Sequence, residues 1–164
     1  MQLLIFRHGI AEDRGPDGTD DSRRLTDEGK SKTREAAVGL SCIAPRPDVI
    51  LNSPLVRAMQ TAEIVGDVFD VKPRVCSALG MGPLEDVLRE LRKMEEEVVM
   101  VIGHEPQLSS LAEILCTGVQ PTGFIQMKKA GCIAVETPIN EGKARVGKLL
   151  WIATPAMLRA MAGR

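Results

Sequence analysis

Short apolar segments alternate along the chain with longer segments that mix apolar and polar residues. Runs of consecutive apolar residues predict buried strands of a parallel sheet, because such strands are covered on both faces. Three strong runs are Leu3–Phe6, Val49–Leu51 and Val98–Ile102. Weaker runs predict further strands at Lys72–Cys76, Cys132–Thr137 and Lys148–Ala153.

Helical periodicity lies between these runs, at 26–42, 54–70, 83–96 and 106–117, and the tail from Pro155 predicts a short last helix. Thr26 and Ser53 are the expected N-caps of the first two helices, and Pro54 and Pro106 suit first-turn positions. Strands that alternate with helices predict an α/β fold, in which helices flank a mostly parallel central sheet.

Two connecting segments contain the residues typical of loops. Residues 13–22 predict a polar loop with glycine and proline, and residues 138–147 predict a hairpin-type connection. Neither resembles a domain linker, and 164 residues suit one domain. We therefore expect a single domain over residues 1–164.

Composition narrows the possible partners. Lys and Arg number 21 against 22 Asp and Glu, for a formal net charge of −1, and aromatic residues make up 2%. A nucleic-acid-binding protein is usually basic and uses aromatic stacking, so that class is disfavoured. The cysteines have no metal-binding spacing and only two histidines are present. We expect no metal or cofactor, and cysteines that serve as small core residues in a reducing compartment.

The N-terminus has no basic segment followed by a long apolar run, so no signal peptide is predicted. No segment approaches the roughly 18 apolar residues that a membrane-spanning helix requires. These observations predict a soluble cytoplasmic protein with no membrane partner.

Polar residues follow three of the predicted strands. Arg7-His8-Gly9 ends the first, Ser53 follows the second with Arg57 in the next helical turn, and Gly103-His104 ends another. Ligands of open parallel sheets bind at the carboxyl ends of the strands. The sequence therefore predicts that both histidines and two arginines meet at one edge of the sheet.

Such a cluster suits phosphoryl transfer. Arginines bind phosphate oxygens through planar donors, and helix N-termini favour anions. A neutral histidine can attack phosphorus, and a second, protonated histidine can stabilise the transferred oxygens. A small residue such as Gly9 allows a sharp turn and close approach of phosphate. Each feature alone also fits a core histidine or a solvated arginine, and it is their combination that favours a site.

Three motifs together resemble those of the histidine phosphatase superfamily, whose fold is that of phosphoglycerate mutase: RHG at Arg7–Gly9, SPLVRAMQTA at Ser53–Ala62 and GHEP at Gly103–Pro106. Within it, the short length, the segment DSRRLTDEG and the lack of a large insertion after Arg57 resemble the small SixA-type phosphohistidine phosphatases. The resemblance implies a three-layer sandwich.

The resemblance also implies residue roles. His8 would be the nucleophile, and Arg7, Arg57 and His104 would bind the phosphoryl group. Arg23 matches the arginine of the family's RxLTxxG segment and is expected, with Gly9 and Ser53, near the substrate. Its neighbour Arg24 fits less well, and the alternative is a helix start with two solvated arginines.

Larger family members supply a carboxylic acid that protonates the leaving alkoxide. Here the candidates are Glu85 and, second, Asp86, although acidic residues near a helix start are also favoured by the helix dipole alone. Phosphohistidine needs less help, because it expels a neutral imidazole whose conjugate acid has a pKa of about 6.5.

The sequence thus favours a metal-independent phosphatase acting on phosphohistidine of a signalling or phosphotransfer protein. The alternatives are a small-molecule phosphomonoesterase of the same fold and a non-catalytic phosphate-binding module.

Overall fold

A computed structural model describes residues 1–139 and 146–163 of the chain. Six strands are described: β1 Gln2–Arg7, β2 Val49–Asn52, β3 Arg74–Val75, β4 Val98–Gly103, β5 Cys132–Glu136 and β6 Lys148–Ala153. Five α-helices are described: α1 Asp27–Ser41, α2 Val56–Phe69, α3 Leu84–Arg92, α4 Gln107–Thr117 and α5 Pro155–Ala162. A 3₁₀ turn at Ser77–Leu79 precedes α3.

The strands form one sheet in the order β3-β2-β4-β1-β5-β6. The first four are parallel to one another, and β5 and β6 are antiparallel to their neighbours. The predicted α/β fold with a mostly parallel sheet is therefore confirmed, with an antiparallel pair at one edge.

Alternate side chains of β1 point to opposite faces of the sheet, and both faces are apolar. Leu3 and Ile5 pack in a cluster with residues of α3 and α4, whereas Leu4 and Phe6 pack in a second cluster with residues of α1, α2 and α5. All four are fully buried. The consecutive apolar run at the start of the chain thus reflects a central strand between two helical layers.

The predicted helix starts are partly wrong. Thr26 caps α1 as expected, because its Oγ1 accepts a hydrogen bond from the Gly29 amide at 2.9 Å. Ser53 does not cap α2, whose N-cap is Leu55, and Pro54 lies before the helix. Pro106 occupies the N-cap position of α4 instead of its first turn.

The four cysteines differ in burial. Of the cysteines, Cys132 is buried, but Cys42 is exposed because it caps the C-terminus of α1 at the surface, and Cys76 and Cys116 are half-buried. The expectation of core cysteines is therefore wrong for Cys42.

Most of the predicted hairpin connection, residues 140–145, lies outside the described residues. Within the described part of the chain, no helix is long and apolar enough to cross a membrane.

Candidate active site

The strand register brings the two histidines together. Arg7 of β1 lies opposite Gly103 of β4, so His8 and His104 leave neighbouring strands at the same level. The His8 amide donates to the Gly103 carbonyl at 3.1 Å, and the centroids of the two imidazole rings are 4.9 Å apart. The predicted meeting of both histidines at one edge of the sheet is what the structure shows.

His8 is held in one tautomer by its own backbone. Its Nδ1 lies 2.7 Å from the carbonyl oxygen of Gly9. A carbonyl only accepts hydrogen bonds, so Nδ1 carries the proton and the lone pair of the neutral ring is on Nε2. Burial lowers the pKa of His8 to about 3, and the charges of His104, Arg57 and Arg7 act in the same direction. His8 is therefore a neutral imidazole with a free Nε2 lone pair at pH 7.

His104 is held by Ser53. The Nε2 of His104 lies 2.8 Å from the Ser53 Oγ, and the Leu55 amide donates a hydrogen bond to the same oxygen. Both residues are buried, and the Nδ1 of His104 has no hydrogen-bond partner among the described residues. Burial and the charge of Arg57 lower the pKa of His104 to about 4. His104 is therefore neutral at pH 7, and the expectation of a protonated second histidine is wrong. In the tautomer in which the Ser53 hydroxyl donates to Nε2, the proton is on Nδ1, which can then donate to an incoming oxyanion.

Arg7 is fixed by the segment that precedes β5. Its Nη1 donates to the Met127 carbonyl at 2.6 Å, and its buried Nε has no partner among the described residues. Burial lowers the pKa of Arg7, and the negative charge of Glu105 opposes that shift. The guanidinium remains a cation with unused donors, as an anion site requires.

Arg57 is fixed by a loop carboxylate. It lies in the first turn of α2 with 5% of its surface exposed. Its Nη1 donates to the Asp20 carbonyl at 2.7 Å, and its Nη2 donates to the Asp20 carboxylate at 2.8 Å. The same carboxylate accepts a bond from Arg23 at 2.8 Å, which brings Arg23 to the edge of the site. Arg23 precedes α1 and is partly buried, so it is not a solvated residue of a helix start.

Gly9 has a different role from the one expected. It does not adopt a left-handed backbone conformation, and its amide donates to Thr61 Oγ1 at 3.1 Å. A Cβ at this position would lie 2.2 Å from Thr33 Oγ1. The absence of a side chain therefore permits close packing against α1, and the expected sharp turn is not what requires glycine.

Two cationic arginines, a neutral histidine with a free lone pair and a second buried histidine thus surround one edge of the sheet. The family model of the histidine phosphatase superfamily (branch 1) matches residues 3–81. Phosphohistidine phosphatase SixA of Escherichia coli is 34% identical over 166 residues, which cover 97% of each chain. This chain belongs to the histidine phosphatase superfamily. It is accordingly a phosphatase of the histidine phosphatase type.

Solved structures agree with this assignment. The protein histidine phosphatase SixA complexed with tungstate matches with a TM-score of 0.82 at 29% identity, covering 95% of this chain and 98% of that one. A mycobacterial glucosyl-3-phosphoglycerate phosphatase complexed with inorganic phosphate matches with a TM-score of 0.72 at 18% identity, covering 94% and 98%. The second likeness shows the fold alone.

The acidic residues of α3 pair with arginines of the same helix. Glu85 is exposed and accepts a hydrogen bond from Arg92 at 2.7 Å, and Asp86 accepts one from Arg89 at 2.7 Å. Within the described residues, no hydrogen bond or ion pair joins either carboxylate to the histidines or arginines of the site. The geometry therefore does not support Glu85 as a proton donor. Arg24 is exposed, and its backbone carbonyl accepts a hydrogen bond from the Glu12 amide.

Two carboxylates that sequence reasoning missed act on the site instead. The negative charge of Asp20 partly offsets the lowering of the pKa of His104. The negative charge of Glu105 does the same for the pKa of Arg7. Glu105 accepts a hydrogen bond from Ser109, and its other carboxylate oxygen is buried with no partner among the described residues. Its position directly after His104 was a usable signal, whereas nothing in the loop sequence distinguished Asp20. No group of three or more metal-binding side chains occurs in residues 1–139 and 146–163.

Proposed function

We propose that this phosphatase removes the phosphoryl group from phosphohistidine on a phosphotransfer protein, through a phosphohistidine intermediate at His8. One observation carries the proposal: the hydrogen bond from His8 Nδ1 to the Gly9 carbonyl leaves Nε2 as the lone-pair atom. The lowered pKa of His8, about 3, keeps that lone pair unprotonated at neutral pH. A preformed neutral imidazole is what nucleophilic attack on phosphorus requires.

In the proposed reaction, Nε2 of His8 forms a bond to phosphorus as the bond from phosphorus to the substrate's imidazole nitrogen breaks. The electron pair leaves with that imidazole. Water then attacks phosphorus, inorganic phosphate departs and His8 regains its lone pair. Arg7 and Arg57 neutralise the phosphoryl oxygens, and Nδ1 of His104 binds one of them. These cations supply the charge that a metal ion provides in other phosphatases.

The surroundings of Asp20 and Glu85 favour cleavage of a phosphorus–nitrogen bond. Asp20 is hydrogen-bonded by Arg23 and Arg57, which lowers its pKa, so it is ionised and holds no proton to donate. Glu85 pairs with Arg92 on the surface. An alkoxide leaves slowly without a proton donor, whereas protonated phosphohistidine releases neutral imidazole with a conjugate-acid pKa of about 6.5.

The names of the relatives agree with this proposal. The curated relative that is 34% identical is a phosphohistidine phosphatase, and a protein histidine phosphatase with the same fold binds tungstate. Tungstate is a tetrahedral oxyanion of the same shape as phosphate. Both observations support, for this chain, a phosphate site and a phosphohistidine substrate.

The test compares two substrate classes. The purified chain is incubated with a phosphohistidine-bearing phosphotransfer domain and with a panel of alkyl phosphomonoesters, alongside His8→Ala. We expect rapid loss of phosphohistidine, slow ester hydrolysis and at least a roughly 10³-fold lower rate for His8→Ala. Rapid quenching with ³²P-labelled substrate should trap acid-labile, base-stable label on the wild-type chain and none on His8→Ala.

Other results would redirect the proposal. Full activity of a clean His8→Ala preparation would rule out the intermediate. A preference for esters would favour the small-molecule phosphomonoesterase, and Glu105, whose charge reaches Arg7, would then be the first acid to replace. Phosphate binding with no turnover of either class would identify a binding module.

A further inference from the structure

A second cationic region adjoins Arg7. A cleft with a volume of about 380 Å³ is lined by Arg7 at the end of β1, Lys32 of α1, Lys128 and Lys129 before β5, and Arg159 of α5. We call it the cationic cleft. Its positive groups come from four separate parts of the chain, although the whole sequence has a formal net charge of only −1. The fold therefore concentrates positive charge beside the proposed phosphoryl site.

Much of this charge has no counter-ion among the described residues. Lys32 pairs with Glu28, and Arg159 lies 3.9 Å from Glu35. For Lys128, Lys129 and Arg7, in contrast, the described residues include no ion pair, although the charge of Glu105 reaches Arg7. Lys128 is exposed and Lys129 is half-buried, so their ammonium groups are accessible to a partner.

The lining of the cleft also contains apolar surface, which Ile10, Ala130 and Pro155 contribute. A ligand with a negative group on a short aliphatic stem, such as a glutamate or aspartate side chain, matches this combination.

We propose that the cationic cleft binds acidic side chains that flank the phosphorylated residue of the protein substrate. The inference rests on the proposed function and adds a docking surface to it. Because the cleft includes Arg7, a carboxylate bound there lies beside the phosphoryl group held at His8. Flexible lysines contributed by separate elements suit a spread array of carboxylates better than one small rigid anion.

The test removes charge from the cleft without touching the site. Lys128→Ala/Lys129→Ala is compared with Lys72→Ala/Lys93→Ala, which removes the same charge from exposed lysines near β3, at the opposite edge of the sheet. Each chain is assayed on a phosphohistidine-bearing phosphotransfer domain with acidic residues around its histidine. Each is also assayed on phosphoramidate, a small substrate with a phosphorus–nitrogen bond and no acidic flank.

We expect kcat/KM on the domain to fall about tenfold in the cleft variant and to depend less steeply on salt. Its activity on phosphoramidate should be unchanged, and the control pair should match wild type on both substrates. Replacing the acidic residues of the domain with serine should lower wild-type kcat/KM by a similar factor and have little further effect on the cleft variant.

Three results would overturn the inference. Equal activity of cleft variant and wild type on the acidic domain would exclude docking at the cleft while leaving the proposed function intact. Equal losses on the domain and on phosphoramidate would show that the lysines act on the site itself. A wild-type chain that hydrolyses phosphoramidate or esters but not the domain would overturn the proposed function and the docking surface together.

Discussion

Two parts of the candidate site are held in place by different means. The site floor, defined as Arg7, His8, Ser53 and His104, lies directly after the parallel strands or at the end of one, and both histidines are at least nine-tenths buried. The site rim, defined as Asp20, Arg23 and Arg57, is joined through one carboxylate whose side chain is 61% exposed. The sheet fixes the floor before any ligand binds, whereas the rim depends on a loop contact.

This difference suggests how phosphate enters. A partly exposed ion pair contributes roughly 0–1 kcal/mol, so the bond from Arg57 to the Asp20 carboxylate costs little to replace. A phosphoryl group offers the donors of Arg57 more acceptor oxygens and more negative charge than the Asp20 carboxylate does. The floor, in contrast, has buried nitrogen atoms without partners among the described residues, and an oxyanion can pair with them without displacing another group.

Replacing Arg57 tests the cationic part of the rim and has the largest expected effect of these changes. Arg57→Ala removes the donors of a nearly buried guanidinium, and we expect kcat/KM to fall roughly 100-fold or more, through both kcat and KM. Arg34→Ala, which removes an exposed arginine of α1 paired with Asp67, is the matched control. Steady-state kinetics on the phosphohistidine domain measure the change. If Arg57→Ala changed neither parameter, the pocket would lie elsewhere.

The pH dependence of stability tests the floor. The folded pKa values of His8 and His104, about 3 and about 4, lie below the unfolded value of about 6.5. Between these values the unfolded chain binds more protons, so the stabilising effect is complete above pH 6.5 and is lost as the pH falls. Near pH 5, each histidine should lower the free energy of unfolding by about 1.4 kcal/mol for each unit by which the pH falls.

His104→Gln should therefore reduce the slope of unfolding free energy against pH. Between pH 6 and pH 5 the reduction should correspond to about one bound proton. Urea unfolding at several pH values measures the slope. The rim variant Asp20→Asn is a suitable comparison, since it leaves both histidines in place. Parallel curves for wild type and His104→Gln would show that the pKa of His104 is the same in the folded and unfolded chains.

Asp20→Asn itself tests whether the Asp20 carboxylate competes with phosphate for Arg57 or positions Arg57 to bind phosphate. Asparagine keeps a side-chain oxygen that accepts from Arg57 but removes the charge, so phosphate should displace it more easily. We expect inorganic phosphate to bind about three- to tenfold more tightly, as measured by calorimetry. Asp13→Asn removes the same charge from an exposed position near the start of the same loop and should have no effect. Weaker phosphate binding by Asp20→Asn would instead show that Asp20 positions Arg57 for the substrate.

The floor was predictable from the sequence, as were Arg57 and Arg23 of the rim, but Asp20, which joins them, was not. Apolar runs that end in Arg7-His8 and in Gly103-His104 specify the strand ends, and parallel neighbours bring such ends together. Asp20 lies in a polar loop whose path depends on tertiary contacts, including the bond from the Val56 amide to the Asp21 carbonyl. Ser53 was predicted as a helix cap because its sequence position fits one, but its hydroxyl contacts His104, on a neighbouring strand end.

Glu85 shows the same limit on a helix, and its replacement has the smallest expected effect. An acidic residue near a helix start is compatible with catalysis and with the helix dipole, and only the surroundings distinguish the two. Here the surroundings are solvent and Arg92.

We expect Glu85→Gln to change kcat on either substrate class by less than about twofold and to leave the pH–rate profile unaltered. Glu105→Gln, which removes a negative charge that acts on Arg7, is the comparison, and a larger change in kcat is expected for that variant. Loss of ester hydrolysis in Glu85→Gln, with phosphohistidine hydrolysis retained, would instead identify Glu85 as a proton donor that reaches the site once the substrate is bound.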